Sequence, residues 1–401
     1  MFSLKPSRLL VAMLVALAMV FATAGCEKKP EKQEIKIGNT NPYSGPASAY
    51  GTIGRAIAAY FKKINDEGGI NGDMINFISY DDGYSPPKTV EQVRRLVEQD
   101  GVIATFQTLG TPTNTAIHEY MNTKQVPQMF VATGAGKWGQ PDKFPWTMGW
   151  QPTYPTEAAI YAKYIRERIP DAKIGVLFQN DDYGKDYLEG FHAGLGAAKD
   201  KIVKEVSYEV TDPTIDSQIV QLKNSGANVF FNITTPKFAA QAIRKAADLN
   251  WKPTHFLNSV SNSVGGVMKQ AGFEASEGII SAIYLKDPTD SQWQGTPEYE
   301  EFVKFLKEYL PDANVNDGFN VYGYTVAQTM VHVLRQAKGD YSRENLMKQA
   351  ASINDLKLPM LLPGVNIQTG PDDFYPIECE QLVRFKGGTW ERFGDVVCAD
   401  K

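Results

Sequence analysis

The chain of 401 residues has few of the residues from which metal sites and nucleophile sites are usually built. It contains three cysteines and four histidines, and no pair of histidines shows metal-ligand spacing. No Gly-x-Ser-x-Gly sequence is present, so the nucleophile elbow of a serine hydrolase is missing. These gaps argue against an enzyme, and we expect neither a metal nor a cofactor.

An excess of basic charge is also missing. Lys and Arg number 41 against 46 Asp and Glu, which gives a formal net charge of −5 at pH 7. Without basic clusters, this balance argues against nucleic acid as a partner. Hydrophobic residues make up 43% and aromatic residues 11% of the chain, which is typical of a well-packed globular protein.

One long apolar run is present, from Leu9 to Ala22. Lys5 and Arg8 precede it and Thr23-Ala24-Gly25 follow it, an order typical of a secretory signal peptide, which we predict at residues 1–25. The run is shorter than the ~20 residues of a membrane-spanning helix. We therefore expect a periplasmic or cell-surface protein.

The small residues end at Cys26, which begins a charged tether at residues 26–33. A cysteine at this place resembles the lipobox of bacterial lipoproteins, although Thr23 stands where Leu or Val is usual. The resemblance implies that Cys26 carries the lipid that anchors the protein to the membrane. An ordinary secretory signal with an incidental cysteine is the alternative.

The other two cysteines, Cys379 and Cys398, flank a predicted hairpin. Its strands are Leu382–Phe385 and Thr389–Val397, with the turn at Lys386-Gly387-Gly388. In an oxidising compartment we expect the two cysteines to form a disulfide, and two free thiols are the alternative.

Short β-rich runs alternate with amphipathic stretches from Glu34 onward. The alternation predicts an α/β protein with parallel, doubly wound sheets. A second series begins after Trp150-Gln151-Pro152, so we expect two Rossmann-like lobes with a ligand cleft at the carboxyl ends of their strands. Predicted strands are Ile35–Gly38, Met74–Tyr80, Val102–Gln107, Gln128–Ala132, Ile174–Phe178, Ile202–Tyr208, Val229–Asn232 and His255–Leu257, and the main predicted helices are Gly51–Glu67, Lys88–Gln99, Thr113–Met121, Tyr154–Arg168, Tyr183–Lys199, Phe238–Leu249, Pro297–Tyr309 and Phe319–Gln336.

The loop after Gln107 has the features of an anion site. Thr111 fits a helix N-cap and Pro112 the first helical position, which would leave the amides of Thr113 and Asn114 free. These donors and the positive end of the helix dipole suit a carboxylate. An ordinary strand-to-helix connection with a good cap is the alternative.

Four motifs occur in an order that resembles the solute-binding proteins of branched-chain amino-acid-type ABC importers. They are Asn41-Pro-Tyr-Ser-Gly-Pro46, Ala49-Tyr50-Gly51, Gly68-Gly69-Ile70-Asn71-Gly72 and Asp182-Tyr183-Gly184, and the likeness covers residues 33–401. The resemblance implies a type I periplasmic binding fold, in which three hinge crossovers join the lobes. Lobe 1 would comprise residues 34–152 plus 286–362, and lobe 2 residues 153–285 plus 363–401.

The same resemblance implies a ligand site. Tyr50 would cover the ligand from the first lobe and Tyr183 from the second, unless both merely cap their sheets. The further contacts would come from Gly110, Thr111, Thr133 and Ala135, which hold the carboxylate, and from Thr234. The partners implied are a small carboxylate and the membrane permease of an importer, with the protein itself a monomer.

One departure bears on the ligand. Amino-acid-binding relatives carry an acid just after the strand matching His255–Leu257, where it pairs with the ligand ammonium, but Asn258–Asn262 contains none. A buried ammonium without a counter-charge is costly. The departure favours an apolar or aromatic acid over an amino acid, unless Asp181 or Asp182 substitutes. A ligand-sensing receptor of the same fold is the alternative function, and an extracytoplasmic enzyme is less favoured.

Overall fold

The computed structural model describes residues 32–399, so the predicted signal peptide and Cys26 lie outside the described residues. Two β-sheets, of five and seven strands, organise the chain from Glu34 onward. No helix among the described residues combines the length and the apolar character that crossing a membrane requires.

The first sheet is parallel throughout, with the strand order β2-β1-β3-β4-β5. Its centre is fully buried, as Ile37 on β1 shows with 0% exposure. The strands are β1 (Glu34–Asn41), β2 (Met74–Asp81), β3 (Ala104–Phe106), β4 (Gln128–Val131) and β5 (Thr147–Gly149), and the helices between them are α1 (Gly51–Asp66), α2 (Pro86–Arg95) and α3 (Thr111–Thr123).

The second sheet has the order β12-β11-β10-β9-β8-β6-β7, and its pairs are parallel except at the edge hairpin, where β11 runs antiparallel to both β10 and β12. The strands are β6 (Ile174–Gln179), β7 (Ile202–Tyr208), β8 (Val229–Ile233), β9 (Thr254–Leu257), β10 (Ile280–Ile283), β11 (Cys379–Lys386) and β12 (Thr389–Cys398). The helices of this half are α4 (Tyr154–Arg168), α5 (Asp182–Leu195), α6 (Asp216–Asn224) and α7 (Pro236–Asp248).

Between β10 and β11 the chain returns to the first sheet and adds α8 (Pro297–Tyr309), α9 (Gly318–Gln336) and α10 (Arg343–Ala350). Helix α9 packs on α1, and Gly323 permits the close approach, because a Cβ there would lie 2.7 Å from the Cβ of Ala56. Tyr324 on α9 also meets the ring of Tyr60 on α1 edge-on, with centroids 5.2 Å apart.

The chain passes between the sheets three times, after β5, after β10 and before β11. The second and third passages pair with each other, because Leu285 and Leu361 form an antiparallel bridge. The amide of Lys286 donates to the Met360 oxygen (2.9 Å), and that of Leu362 donates to the Tyr284 oxygen (3.0 Å). We call this pair of segments the crossover ribbon.

Helix ends differ from the sequence-based expectations where glycine intervenes. Helix α3 starts at Thr111 with Gly110 (φ +102°) as the residue before it, so Thr111 is the first helical residue and not the cap. The helix predicted to reach Lys199 ends at Leu195, because Gly196 leaves the helical conformation with φ +54°. At the edge of the second sheet, a disulfide joins Cys379 to Cys398, whose positions pair across β11 and β12.

Candidate functional site

A cavity lies between the two sheets, at the carboxyl ends of their strands, where a doubly wound fold binds its ligands. The volume of the cavity is about 100 Å³, which is room for a small ligand. Its walls are mainly aromatic and aliphatic. Seven rings line it, from Tyr50, Tyr84, Tyr154, Tyr183, Tyr284, Phe319 and Tyr322.

Tyr50 lines the cavity from the first sheet, just before α1. Its ring meets that of Phe319 edge-on at 5.2 Å, and its hydroxyl donates to the backbone oxygen of Val260 at 3.1 Å. Val260 follows β9 of the second sheet. Burial raises the pKa of the Tyr50 hydroxyl, so the group is a neutral donor.

Tyr183 lines the cavity from the second sheet, at the start of α5. Its ring meets Tyr154 edge-on at 5.3 Å, and the residue is only 2% exposed. The hydroxyl has no hydrogen-bond partner within residues 32–399. A buried hydroxyl without a partner is costly, so this one is suited to a polar group of a bound molecule.

Gly110 lines the cavity and makes room for another aromatic wall. A side chain there would overlap the ring of Tyr84, and the φ of +102° also disfavours other residues. Thr111, the next residue, is buried and does not line the cavity; its hydroxyl lies 2.6 Å from that of Thr133.

Thr133 is the centre of a buried hydrogen-bond cluster directly behind the cavity wall. Its hydroxyl accepts from Nε1 of Trp138 (3.2 Å) and from the hydroxyl of Tyr154 (3.3 Å), and it pairs with Thr111. Tyr154, not Thr133, lines the cavity. The cluster therefore orients Tyr154 in the wall.

The remaining expected site residues also lie behind the wall. Ala135 is buried, and its amide donates to Thr133 Oγ1 at 3.4 Å. Thr234 donates to Asn232 Oδ1 at 2.7 Å, and its neighbour Thr235 lines the cavity instead. Direct ligand contact by Thr111, Thr133, Ala135 and Thr234 stays a prediction.

One part of the predicted anion site, the free amide of Asn114, is wrong. The amide of Asn114 is not free, because it donates to the Gly110 oxygen at 3.1 Å as an ordinary helical hydrogen bond. Helix α3 begins one residue earlier than a Thr111 cap requires, so the Asn114 amide is already inside the helical hydrogen-bond ladder.

The acids after β6 do not line the cavity. Asp181 caps α5 through the amides of Tyr183 and Gly184, at 3.0 and 3.3 Å. Asp182 forms a salt bridge of 2.7 Å with Lys137, which lowers the pKa of that carboxyl. The structure thus gives no support to either as an ammonium partner.

Asp287 is the acid that lines the cavity, and sequence reasoning missed it. It lies on the crossover ribbon, a stretch that was expected to act only as a hinge. The Asn258–Asn262 segment does lack an acid, and Asn258 Nδ2 donates to the backbone oxygens of Asn232 and Thr234. The charged pair Lys286-Asp287 in a crossover beside the cleft is the signal that could have found this acid.

Among residues 32–399, no three His, Cys, Asp or Glu side chains form a group that could hold a metal. His118 and His255 are buried, which lowers their pKa values to about 4 and about 3. Both imidazoles are therefore neutral at physiological pH.

An aromatic cavity between two doubly wound sheets is typical of proteins that bind a small molecule between two halves. Residues 34–389 match the family described as periplasmic binding protein. The chain belongs to this family, whose members act outside the cytoplasm.

Proteins similar in sequence include Leu/Ile/Val-binding protein homolog 7 of Brucella abortus, 24% identical over 362 residues, with 86% of each chain covered. Homolog 1 of Brucella suis is 25% identical over 351 residues, which cover 82% of this chain and 85% of the relative. These relatives confirm the resemblance to the branched-chain amino-acid type.

Two solved structures show the same fold. A branched chain amino acid ABC transporter protein from Thermus thermophilus, with bound valine, has a TM-score of 0.82 at 16% identity, covering 92% of this chain and 97% of the other. A fatty acid ABC transporter substrate-binding protein from Thermomonospora curvata has a TM-score of 0.75 at 19% identity, covering 92% and 93%. The type I periplasmic binding fold is thereby confirmed.

Proposed function

We propose that this protein is the solute-binding component of an ABC importer and captures a small carboxylate with an apolar or aromatic body, or an amino acid. The observation that carries the proposal is Tyr183, which lines an aromatic cavity and whose buried hydroxyl lacks a partner within residues 32–399. A carboxylate oxygen would accept its hydrogen bond, while the rings would cover the hydrocarbon part.

Capture would occur by rotation of two lobes, residues 34–152 plus 286–362 and residues 153–285 plus 363–401. Contacts across the cleft support this mechanism, because they can form only when the halves approach. Besides Tyr50 to Val260, the amide of Gly136 donates to Asp186 Oδ2 at 3.0 Å. A ligand that bridges both halves would favour the closed state over the open one.

Calorimetry and thermal shift with four probes test the ligand class: L-valine, L-phenylalanine, isovalerate and 3-phenylpropanoate. At a fixed probe concentration, a bound probe should raise the melting temperature by an amount that grows with the logarithm of its affinity. Tyr183→Phe should weaken its binding by about threefold to tenfold, the effect of one hydrogen bond. Tyr120→Phe is the matched control, since the Tyr120 hydroxyl bonds only Glu98 on an exposed face. Failure of all four probes to bind would contradict the proposed ligand class.

The importer role needs a separate test, because a sensor with this fold would bind the same ligand. Uptake of the labelled ligand by cells should fall when the gene is deleted and return when it is restored. Undiminished uptake would favour the sensing alternative.

Membrane anchoring through Cys26 completes the proposal. Diacylation plus N-acylation at Cys26 would supply enough acyl chains for stable attachment to the membrane. Cys26→Ala should release the protein into the soluble fraction, and unchanged membrane association would contradict the anchor.

A further inference from the structure

The cavity has a second polar end, at the crossover ribbon. Seven consecutive residues, from Ala282 to Pro288, line it, so the backbone of this crossover forms one wall. Asp287 and Lys286 are the charged residues of that wall. Their charges are not equivalent, because only one of them has a partner of opposite sign.

Lys286 is already neutralised. Its Nζ lies 2.6 Å from Glu298 Oε1 and donates to the Pro359 oxygen at 2.8 Å. The ammonium also lies over the ring of Trp293, 5.0 Å from its centroid. Lys286 is therefore not available to pair with its neighbour Asp287.

Asp287 is 9% exposed and has no salt bridge to any cation in the described part of the chain. Its Oδ1 accepts from the amide of Thr289 at 2.8 Å and from the Thr289 hydroxyl. These bonds account for a turn after the crossover, but they use one oxygen only. Within residues 32–399, Oδ2 has no hydrogen-bond donor.

The surroundings of Asp287 are negative. Asp290 and Asp317 lie near enough that their charges add to the effect of burial, and the pKa of Asp287 rises to about 6. Asp317 itself is held by the Ser263 hydroxyl at 2.7 Å and the Phe319 amide at 3.1 Å. A buried carboxylate in such a place normally has a cationic partner.

We propose that Asp287 is a cation subsite of the cleft: the ligand carries a positively charged nitrogen that donates to Oδ2 of Asp287, and it is therefore a zwitterion. This inference rests on the proposed function, and it narrows that function to carboxylates that also bear an ammonium group. The aromatic walls, with Tyr284 and Phe319 among them, suit a cation as well, because the face of a ring is electronegative. The subsite replaces the acid that Asn258–Asn262 lacks.

Matched pairs of probes test the subsite by calorimetry well above pH 6. The pairs are L-valine with isovalerate, L-phenylalanine with 3-phenylpropanoate, and 6-aminohexanoate with hexanoate, since the position of the nitrogen is free. In at least one pair, the ammonium-bearing member should bind the native protein about tenfold or more tightly than its deaminated partner, the effect of a charge-assisted hydrogen bond. This comparison needs no variant.

Asp287→Asn then removes the charge and keeps the oxygen that accepts from Thr289. It should weaken binding of the ammonium-bearing probe about tenfold while leaving its deaminated partner within about twofold. Asp312→Asn is the control, because it makes the same change of charge at an exposed residue outside the cavity.

The outcomes separate the subsite from the proposed function. Equal binding within every pair, or an Asp287→Asn protein that binds the ammonium probe as tightly as before, would overturn the subsite and leave carboxylate capture standing. Equal loss of both members of a pair in Asp287→Asn would also overturn it, since the residue would then only shape the turn. Binding of no probe would contradict the proposed function as well.

Discussion

The hydroxyl of Tyr50 donates to the backbone oxygen of Val260 at 3.1 Å, although the two residues are 210 positions apart in the sequence. Tyr50 precedes the first helix of one half, and Val260 follows the fourth strand of the other. Both line the cavity, so this hydrogen bond closes the cleft beside the place of the ligand.

Tyr50→Phe should therefore raise the dissociation constant of the bound probe by about threefold to tenfold, the effect of one hydrogen bond. The ring contact with Phe319 would remain. We expect the change mainly in the dissociation rate, which stopped-flow fluorescence measures. An unchanged dissociation rate would show that the Tyr50 hydroxyl does not hold the closed state.

Closure should also be visible as compaction. The salt bridge between Lys137 and Asp182 joins the two halves at the rim, and the Asp182 side chain is 50% exposed. Small-angle scattering should give a smaller radius of gyration with saturating ligand than without it. Asp182→Asn should shift the balance modestly toward the open state, since an exposed pair contributes about 0.2–1 kcal/mol. No compaction in the native protein would count against hinge closure.

Thr133→Val tests the cluster behind the wall. The substitution leaves Trp138 Nε1 and the Tyr154 hydroxyl without their shared acceptor, so the free energy of unfolding should fall by about 1–3 kcal/mol. Urea denaturation measures it. A loss of ligand affinity without a loss of stability would instead indicate that the Thr133 hydroxyl contacts the ligand.

Glu380 makes stability depend on pH. Its side chain is fully buried, and neither carboxyl oxygen has a hydrogen-bond partner within residues 32–399. Burial, together with the charge of Glu157, raises its pKa well above the ordinary value of 4.5. At pH values between 4.5 and the raised pKa of the folded state, folded Glu380 keeps a proton that the unfolded state releases. The free energy of unfolding therefore decreases as pH rises through this range.

Glu380→Gln removes this proton, and the variant should gain stability relative to the native protein as pH rises above 4.5. Denaturation across a pH series measures the difference. Glu391→Gln, at an exposed position of β12, is the control. A difference that is constant with pH would mean that Glu380 does not titrate in this range.

The bridge between Cys379 and Cys398 should be worth about 3 kcal/mol, because it closes a short loop in the unfolded chain. Cys398→Ala should lower the free energy of unfolding by about that amount. Alkylation of the native protein without reductant, followed by mass spectrometry, should leave both cysteines unmodified. Labelling of both would refute the pairing.

The fold could be predicted because its signals are local. Strand and helix periodicity located most elements, although not β5, β10 or α10, and the edge hairpin followed from Lys386-Gly387-Gly388 between two β-rich runs. The site was harder, because it depends on side-chain directions and on the path of the crossovers. Thr111 and Thr133 face each other and not the cavity, which no spacing reveals.

Two acidic residues, Asp287 and Glu380, show the same limit of prediction from the sequence. Asp287 lines the cavity because of where the crossover ribbon runs, and Glu380 is buried although it lies in a hairpin at the edge of a sheet. Both positions result from tertiary packing, and a charged residue in the sequence alone predicts exposure. Tyr50, Gly110 and Tyr183, which were predicted as site residues from the sequence, do line the cavity.

The crossover ribbon has a consequence for the open protein. The Leu285–Leu361 bridge and its flanking hydrogen bonds tie two of the three passages together, so we expect those passages to bend as one element with a single axis. The two halves would then rotate relative to each other about that one hinge axis, over a narrow range of orientations. Fewer open arrangements mean less conformational entropy to lose when the cleft shuts, so more of the contact energy with the ligand appears as affinity.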